Sequence, residues 1–207
     1  NNIALPEGLT SIGTGAFISC SGLTSIILPS SLTSIGYMAF DGCSGLTSII
    51  LPEDLTSIGD LAFYDCSGLT GELNLGECTS LTSIGNSAFY YCSGLTGELN
   101  LGGCTSLTSI GIQAFRSCSG LTSITLPSRL TSIGDYAFSG CNRLKEVIID
   151  SEYVYDSATS DTACGYVLFY ATTVKVLTSL DDGTNSHITA NFTKGENEVI
   201  GGKSYTV

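Results

Sequence analysis

Two glutamates, Glu72 and Glu98, occupy the same place in two successive 26-residue units, and each is followed two residues later by an asparagine, Asn74 and Asn100. Carboxylates held side by side can divide acid and base work on a glycosidic bond between them. With the two amide oxygens they also offer an all-oxygen set of the kind Ca²⁺ takes. Duplication of a longer unit is the simpler account of the pair. It leaves glycan cleavage and calcium-dependent sugar binding as alternatives centred on these residues.

A second group follows each Ala-Phe pair. The residue after the phenylalanine reads Ile18, Asp41, Tyr64, Tyr90, Arg116, Ser139, with Tyr91 beside Tyr90. If the units stack, Tyr64, Tyr90 and Arg116 fall on consecutive layers. Tyrosine and arginine are the side chains enriched at binding hot spots, and arginine over an aromatic face adds a cation–π attraction. The plainer reading is that tyrosine shields the edge of the core.

Other chemistry lacks its parts. The single histidine, His187, lies far in sequence from the repeated cysteines, so Cys–His or Ser–His catalysis has no base. There is no Cys-x-x-Cys and no His-Glu-x-x-His, hence no zinc ligand set. Gly13-Thr14-Gly15 is too short a fragment for a nucleotide loop, and turn geometry explains its glycines. The expectation is a non-enzyme with no catalytic residues, no metal and no cofactor.

Charge narrows the partners. The net charge is −12, and residues 1–115 carry nine carboxylates without one lysine or arginine. Such a surface repels phosphate backbones, which require clustered cations, so nucleic acid is excluded as a partner. No run of 18 apolar residues is present to insert into a membrane.

These side chains must be positioned by what repeats. The stretch Leu-Thr-Ser-Ile-Gly-x-x-Ala-Phe-x-x-Cys-x-x-Leu begins at Leu9, Leu32, Leu55, Leu81, Leu107 and Leu130, with offsets of 23, 23, 26, 26 and 23 residues. A period in this range with leucine at fixed offsets marks leucine-rich repeats, whose units bury their apolar faces only by stacking. Each coil is expected to supply a strand, at Ile3–Leu5, Leu23–Leu28, Leu46–Leu51, Leu69–Leu75, Leu95–Leu101, Leu121–Leu126 and Leu144–Ile149. A return path from the Leu32 and Ile35 positions follows, then a turn at Gly36. Ala39, Phe40 and Cys43 are expected on a short helical turn, where the i and i+3 residues face inward. The longer copies, with Thr-Gly-Glu-Leu-Asn-Leu-Gly, are expected to bulge at the strand's flanks.

Cys20, Cys43, Cys66, Cys92, Cys118 and Cys141 fill one slot of successive repeats and read as a column of buried thiols. Cys78 and Cys104 share a position in the longer copies, where a disulfide between neighbouring coils is the alternative to two free thiols. Two outward columns complete the surface. One reads Ala4, Ile27, Ile50, Asn74, Asn100, Thr125, Ile148, and the other is Thr24, Thr47, Thr70, Thr96, Thr122. A regular threonine array can order water, although ice-binding arrays need two parallel columns.

Residues 1–150 therefore read as a solenoid of six full repeats after a partial one, and residues 151–207 as an atypical C-terminal cap that can lead into a following module. Asp156–Ala171 has helical spacing capped by Asp161, Thr172–Leu177 alternates as a final parallel strand, and His187–Phe192 and Ser204–Val207 are strand-like. Asn1–Pro6 reads as the tail of a repeat, without the basic and apolar regions of an export signal. Any signal or anchor is expected outside these residues.

The unit Leu-Thr-Ser-Ile-x-Leu-Pro-x-x-Leu-Thr-Ser-Ile-Gly-x-x-Ala-Phe-x-x-Cys resembles the BspA-type leucine-rich repeat over roughly residues 1–150, and its Ala-Phe-x-x-Cys element separates it from other leucine-rich classes. The tail from Ala163-Cys164-Gly165-Tyr166 to Thr173-Val174-Lys175-Val176 is similar to the closing segment of such proteins. The resemblance implies a right-handed β/α superhelix with a parallel sheet on one face and short helical turns on the other. It also implies a surface or secreted protein of anaerobic bacteria or mucosal protozoa, associated with adhesion to host matrix proteins or other cells. The family has no shared catalytic residues. The expected function is a non-enzymatic extracellular recognition module for a protein or glycan ligand, with Tyr64, Tyr90, Tyr91, Arg116, Glu72, Asn74, Glu98 and Asn100 as candidate binding residues. A structural spacer within a larger surface protein is a further alternative.

Overall fold

The computed structural model describes residues 2–149 and the strands at 173–179, 187–193, 197–200 and 203–206. The Asp156–Ala171 helix expected from spacing lies outside the described residues.

Two parallel ladders run along the stack. The first holds the strand centres of the coils. β1 (Asn2–Ala4) pairs with β3 (Ser25–Ile27), and β7 (Thr96–Asn100), β9 (Gly120–Leu126), β11 (Glu146–Ile149) and β12 (Thr173–Ser179) lie side by side in parallel. β13 (His187–Thr193) then adds antiparallel to β12. Between β3 and β7 the expected strands Leu46–Leu51 and Leu69–Leu75 contract to the single bridges Ser25–Ser48, Gly71–Leu95 and Asn74–Asn100. The expected strand Thr172–Leu177 is present as β12, which pairs in parallel with β11. The last two strands, β14 (Asn197–Ile200) and β15 (Lys203–Thr206), form a hairpin.

The second ladder comes from Ser-Ile dipeptides and was not expected as a sheet. β2 (Ser11–Ile12), β4 (Ser34–Ile35), β5 (Ser57–Ile58), β6 (Ser83–Ile84), β8 (Ser109–Ile110) and β10 (Ser132–Ile133) pair in one six-stranded run. From the second dipeptide on, the preceding threonine donates its hydroxyl to the previous coil: Thr56 to the Thr33 carbonyl at 2.8 Å, Thr82 to Thr56 at 2.9 Å, Thr131 to Thr108 at 2.9 Å. A two-residue strand thus gains a third rung from its side chain.

From the second coil on, leucine, isoleucine, alanine, phenylalanine and cysteine meet in one continuous core, with no buried polar residue among those described. Its axis is a column of phenylalanines. Phe40 and Phe63 stack with centroids 5.0 Å apart and planes 5° from parallel, and Phe17, Phe89, Phe115 and Phe138 continue the column at 5.0–5.4 Å. Coil spacing close to the inter-strand distance imposes this parallel geometry.

The helical turns expected after each Gly-x-x are absent. Within Met38–Cys43 the backbone donors alternate between their own coil and the next. Ala39, Asp41 and Cys43 bond three residues back, whereas Met38, Phe40 and Gly42 reach Asp60, Ala62 and Tyr64 at 2.7–3.0 Å. An α-helix sends every donor four residues back along its own chain. The cause lies in two left-handed residues per coil, four positions apart. They are Met38 (φ 54°) and Gly42 (φ 70°) here, then Leu61 and Asp65, Ser87 and Tyr91, Gln113 and Ser117, and Tyr136 and Gly140. Each resets the chain direction before a helical turn can close. Ala39, Phe40 and Cys43 are buried all the same, because the i, i+3 spacing is shared by both conformations.

Close coil contact explains the glycine that opens each turn from the second coil on. A Cβ on Gly59 would stand 2.8 Å from the Gly36 carbonyl carbon, inside the distance side chains keep. In the longer copies the extra residue is itself left-handed, at Gly71 (φ 78°) and Gly97 (φ 79°). The β7–β9 register shifts between Gly97 and Glu98. The insertion is thereby absorbed as a bulge at the strand's flank, and Leu95, Leu99 and Leu101 stay buried.

Candidate functional site

The stacked turns carry a ridge of side chains on their outer surface. Tyr64 and Tyr90, on consecutive coils, stack with centroids 5.2 Å apart and planes at 21°. The Arg116 guanidinium carbon, from the next coil, lies 5.4 Å from the Tyr90 centroid. Tyr91 stands nearly perpendicular to both tyrosines, at 74° to Tyr90 and 85° to Tyr64. Tyr64, Tyr90 and Arg116 are half-buried, while Tyr91 is exposed. Desolvation, and then a hydrogen bond with Tyr91, hold the Tyr90 phenol above its ordinary value, with Arg116 working against them. The ridge is therefore neutral aromatic in its middle at physiological pH, and basic at Arg116. At its other end Asp41 is raised, first by burial and then by the charge of Asp65 on the next coil.

Sequence reasoning missed one member of this ridge. Tyr136 lies 6.0 Å from the Arg116 guanidinium carbon, so the cation has an aromatic ring on either side. Asp65 occupies the turn position of Tyr91 one coil earlier. Asp65 belongs to the run Ser19, Gly42, Asp65, Ser117, Gly140 after each Phe-x, since small polar residues and glycine accept left-handed backbone most readily, whereas Tyr136 lies at the other left-handed position of its coil.

The second candidate group, Glu72, Asn74, Glu98 and Asn100, lines an open depression of about 350 Å³ with Gly76 and Glu77. Asn74 and Asn100 are paired across the ladder. Their side-chain oxygens are already committed, accepting from the Gly76 and Gly102 backbone at 3.0 and 2.9 Å. Glu98 accepts from the Thr125 hydroxyl at 2.7 Å. Glu72 lies across Gly97, where an added Cβ would stand 2.8 Å from its Cγ. These bonds fix Asn74, Asn100 and Glu98 through one accepted hydrogen bond each. Among the described residues no three His, Cys, Asp or Glu side chains gather closely enough to hold a metal ion.

With the coils and ridge in place, the chain can be set beside known proteins. The sequence profile described as the BspA type leucine rich repeat region matches in six copies, over residues 1–100 and 82–160. The chain belongs to this family. A leucine rich repeat protein of T. pallidum shares 35% identity, with a TM-score of 0.64, and the match covers 72% of each chain. Two further solved structures are less similar. A leucine-rich repeat protein from Bacteroides ovatus has 24% identity, a TM-score of 0.37 and 86% of this chain covered. A leucine rich cell surface protein from Faecalibacterium prausnitzii has 22%, 0.36 and 88%. The chain spans 61% of the length of each of those two. A search of curated proteins found no match.

The BspA-type coil also settles the place of the remaining candidates. The outward column is paired in the ladder at its two ends, with Ala4 opposite Ile27, then Asn74 opposite Asn100, Asn100 opposite Thr125 and Thr125 opposite Ile148. Ile27 and Ile50 are exposed. In the threonine column Thr47 donates its hydroxyl to the Thr24 carbonyl at 3.1 Å and Thr70 to that of Thr47 at 3.4 Å. These two are poorly placed to template ice.

Cys43, Cys66, Cys92, Cys118 and Cys141 are buried free thiols, each donating to the carbonyl of the phenylalanine one coil back, at 3.0–3.3 Å. Cys20, in the first coil, is exposed. Cys78 and Cys104 are free as well. Cys78 is directed at the Pro52 carbonyl and Cys104 at that of Leu75, rather than at each other. That orientation replaces the disulfide alternative with two more rungs of a thiol ladder. Burial raises the buried thiols Cys43, Cys66, Cys78, Cys92, Cys104, Cys118 and Cys141, so they are protonated and poor nucleophiles at neutral pH. His187 opens β13, opposite Ser179. Among the described residues no helix is long and apolar enough to cross a membrane.

Proposed function

We propose that this BspA-type solenoid is a non-enzymatic recognition module of a secreted or cell-surface protein. It binds a protein or glycan of a host matrix or a neighbouring cell through the Tyr64–Tyr90–Tyr91–Arg116 ridge. Membership of a leucine-rich repeat family supports an interaction role in general. The observation that carries the ridge is the assembly of three tyrosines and an arginine, from three coils, into one contiguous set of ring and guanidinium contacts. Rigid aromatic rings lose little entropy on binding, and arginine adds directional charge. The one titratable column in the core is held protonated, which fits a scaffold rather than an active site. Residues 1–150 serve in this reading as the binding solenoid, and residues 151–207 as the cap that ends its parallel run.

The test is binding of the 207-residue chain to immobilised matrix proteins and glycans, with Glu72→Gln/Glu98→Gln as a control for the other face. The reading expects the parent and this variant to bind alike. Loss of binding in Glu72→Gln/Glu98→Gln would move the site to the depression, and no binding to any panel member would count against the module as a whole.

A further inference from the structure

The ring planes of the ridge leave one aromatic face turned outward. Tyr90 is covered on one side by Tyr64 and on the other by Arg116, since the three come from consecutive coils. Tyr91 has its centroid only 4.3 Å from that of Tyr90, yet lies at 74° to it. It is also at 85° to Tyr64, 6.3 Å away. With the faces of Tyr90 occupied, Tyr91 must lie along the edges of the stack. One of its faces is turned to those edges and the other away from the protein. Its 46% exposure agrees with that placement.

The backbone adds a second observation. Tyr91 has φ 60°, and its counterparts in the other coils are Ser19, Gly42, Asp65, Ser117 and Gly140, all left-handed. Large side chains do occur at the other left-handed position, as in Met38 and Leu61. At this one, tyrosine alone departs from small residues, and it does so without being buried. Folding does not ask for the ring. A disfavoured backbone conformation kept under an exposed aromatic side chain points to use.

What surrounds the ring selects the ligand. Asp65 and Ser117 occupy the same turn position one coil to either side, and Arg116 borders the stack. This rim is polar and carries both signs of charge. A pyranose fits it: the ring carbons present an apolar C–H face to an aromatic plane, while the hydroxyls around the edge bond to carboxylate and guanidinium. A neutral sugar suits a chain of net charge −12 better than an acidic one.

We propose that the outward face of Tyr91 is the stacking platform for a pyranose ring of a neutral glycan, with Asp65 and Arg116 as the flanking hydroxyl partners. The proposal rests on the recognition reading above and names the ligand class of that ridge.

Binding of the 207-residue chain to immobilised neutral hexaoses of glucose, mannose and galactose tests it, beside the panel of matrix proteins. Two variants separate ring from fold. Tyr91→Ser installs the residue already present at Ser19 and Ser117, and Tyr91→Phe keeps the aromatic plane. The expected result is that the parent and Tyr91→Phe bind at least one hexaose, and that Tyr91→Ser, with an unchanged circular dichroism spectrum, binds it about tenfold or more weakly. Equal binding by Tyr91→Ser overturns the platform. Binding to proteins with none to hexaoses also overturns it and leaves the recognition reading standing. Absence of binding to either class defeats both.

Discussion

The Tyr91 ring stands at 74° to the ring of Tyr90, its neighbour in sequence, with 4.3 Å between centroids. Adjacent residues of a strand point to opposite faces. Here the left-handed Tyr91 turns the chain so that both rings lie on one surface. The same left-handed step recurs in every coil, and it is what makes a ridge out of the stacked turns.

Arg116 tests how much the ridge owes to charge. Its guanidinium sits between Tyr90 and Tyr136 but remains half-exposed. Arg116→Ala is expected to lower stability by no more than about 1 kcal/mol, and to weaken ligand binding several-fold. Urea unfolding and surface plasmon resonance on the same samples read the two effects separately. A large stability loss with unchanged binding would make Arg116 a structural residue.

The phenylalanine column sets the stability of the stack. Phe89 is fully buried between Phe63 at 5.0 Å and Phe115 at 5.2 Å. Phe89→Ala should cost about 3–5 kcal/mol, for lost burial and the cavity left behind. Ile50→Ser, at a side chain 85% exposed, should stay within about 0.5 kcal/mol of the parent. Guanidinium denaturation midpoints measure both.

Alkaline pH should unfold the solenoid through its thiols. Burial lifts Cys43 and Cys78 from the ordinary 9.0 to about 11, and Cys104 and Cys141 to about 12. Above pH 9 the unfolded chain releases protons that the folded chain retains. The stabilisation is therefore complete below pH 9 and is lost as pH rises towards 11 and 12. Urea midpoints should be level from pH 7 to 9 and fall beyond it, and Cys43→Ala/Cys78→Ala should fall less steeply. A level midpoint up to pH 11 would contradict the protonated thiol column.

Much of this architecture is legible in the sequence because stacking leaves little freedom inside. Leu32, Ile35, Ala39, Phe40 and Cys43 recur in fixed order, and every one is buried. The conformation of the turns was not legible. Met38 and Gly42 gain their meaning only from hydrogen bonds to Asp60 and Tyr64 of the next coil, and local spacing cannot tell that ladder from a helical turn. The Ser-Ile sheet escaped for the same reason, since two residues are too few to show alternation. At the ridge, equivalent positions placed Tyr64, Tyr90 and Arg116 together. The approach of Tyr136 to Arg116 comes from a different position of the repeat and needs the left-handed geometry to be seen.

The central claim is that recognition is written on the ridge rather than on the sheet face or in the depression. Its most direct measurement compares the parent with Tyr64→Ala/Tyr90→Ala on one panel of matrix proteins and glycans, after circular dichroism has confirmed that both are folded. The double variant removes the stack that supports Tyr91 and carries Arg116. It is expected to lose at least about tenfold in affinity for whatever the parent binds. Equal affinity of the two proteins would contradict the account.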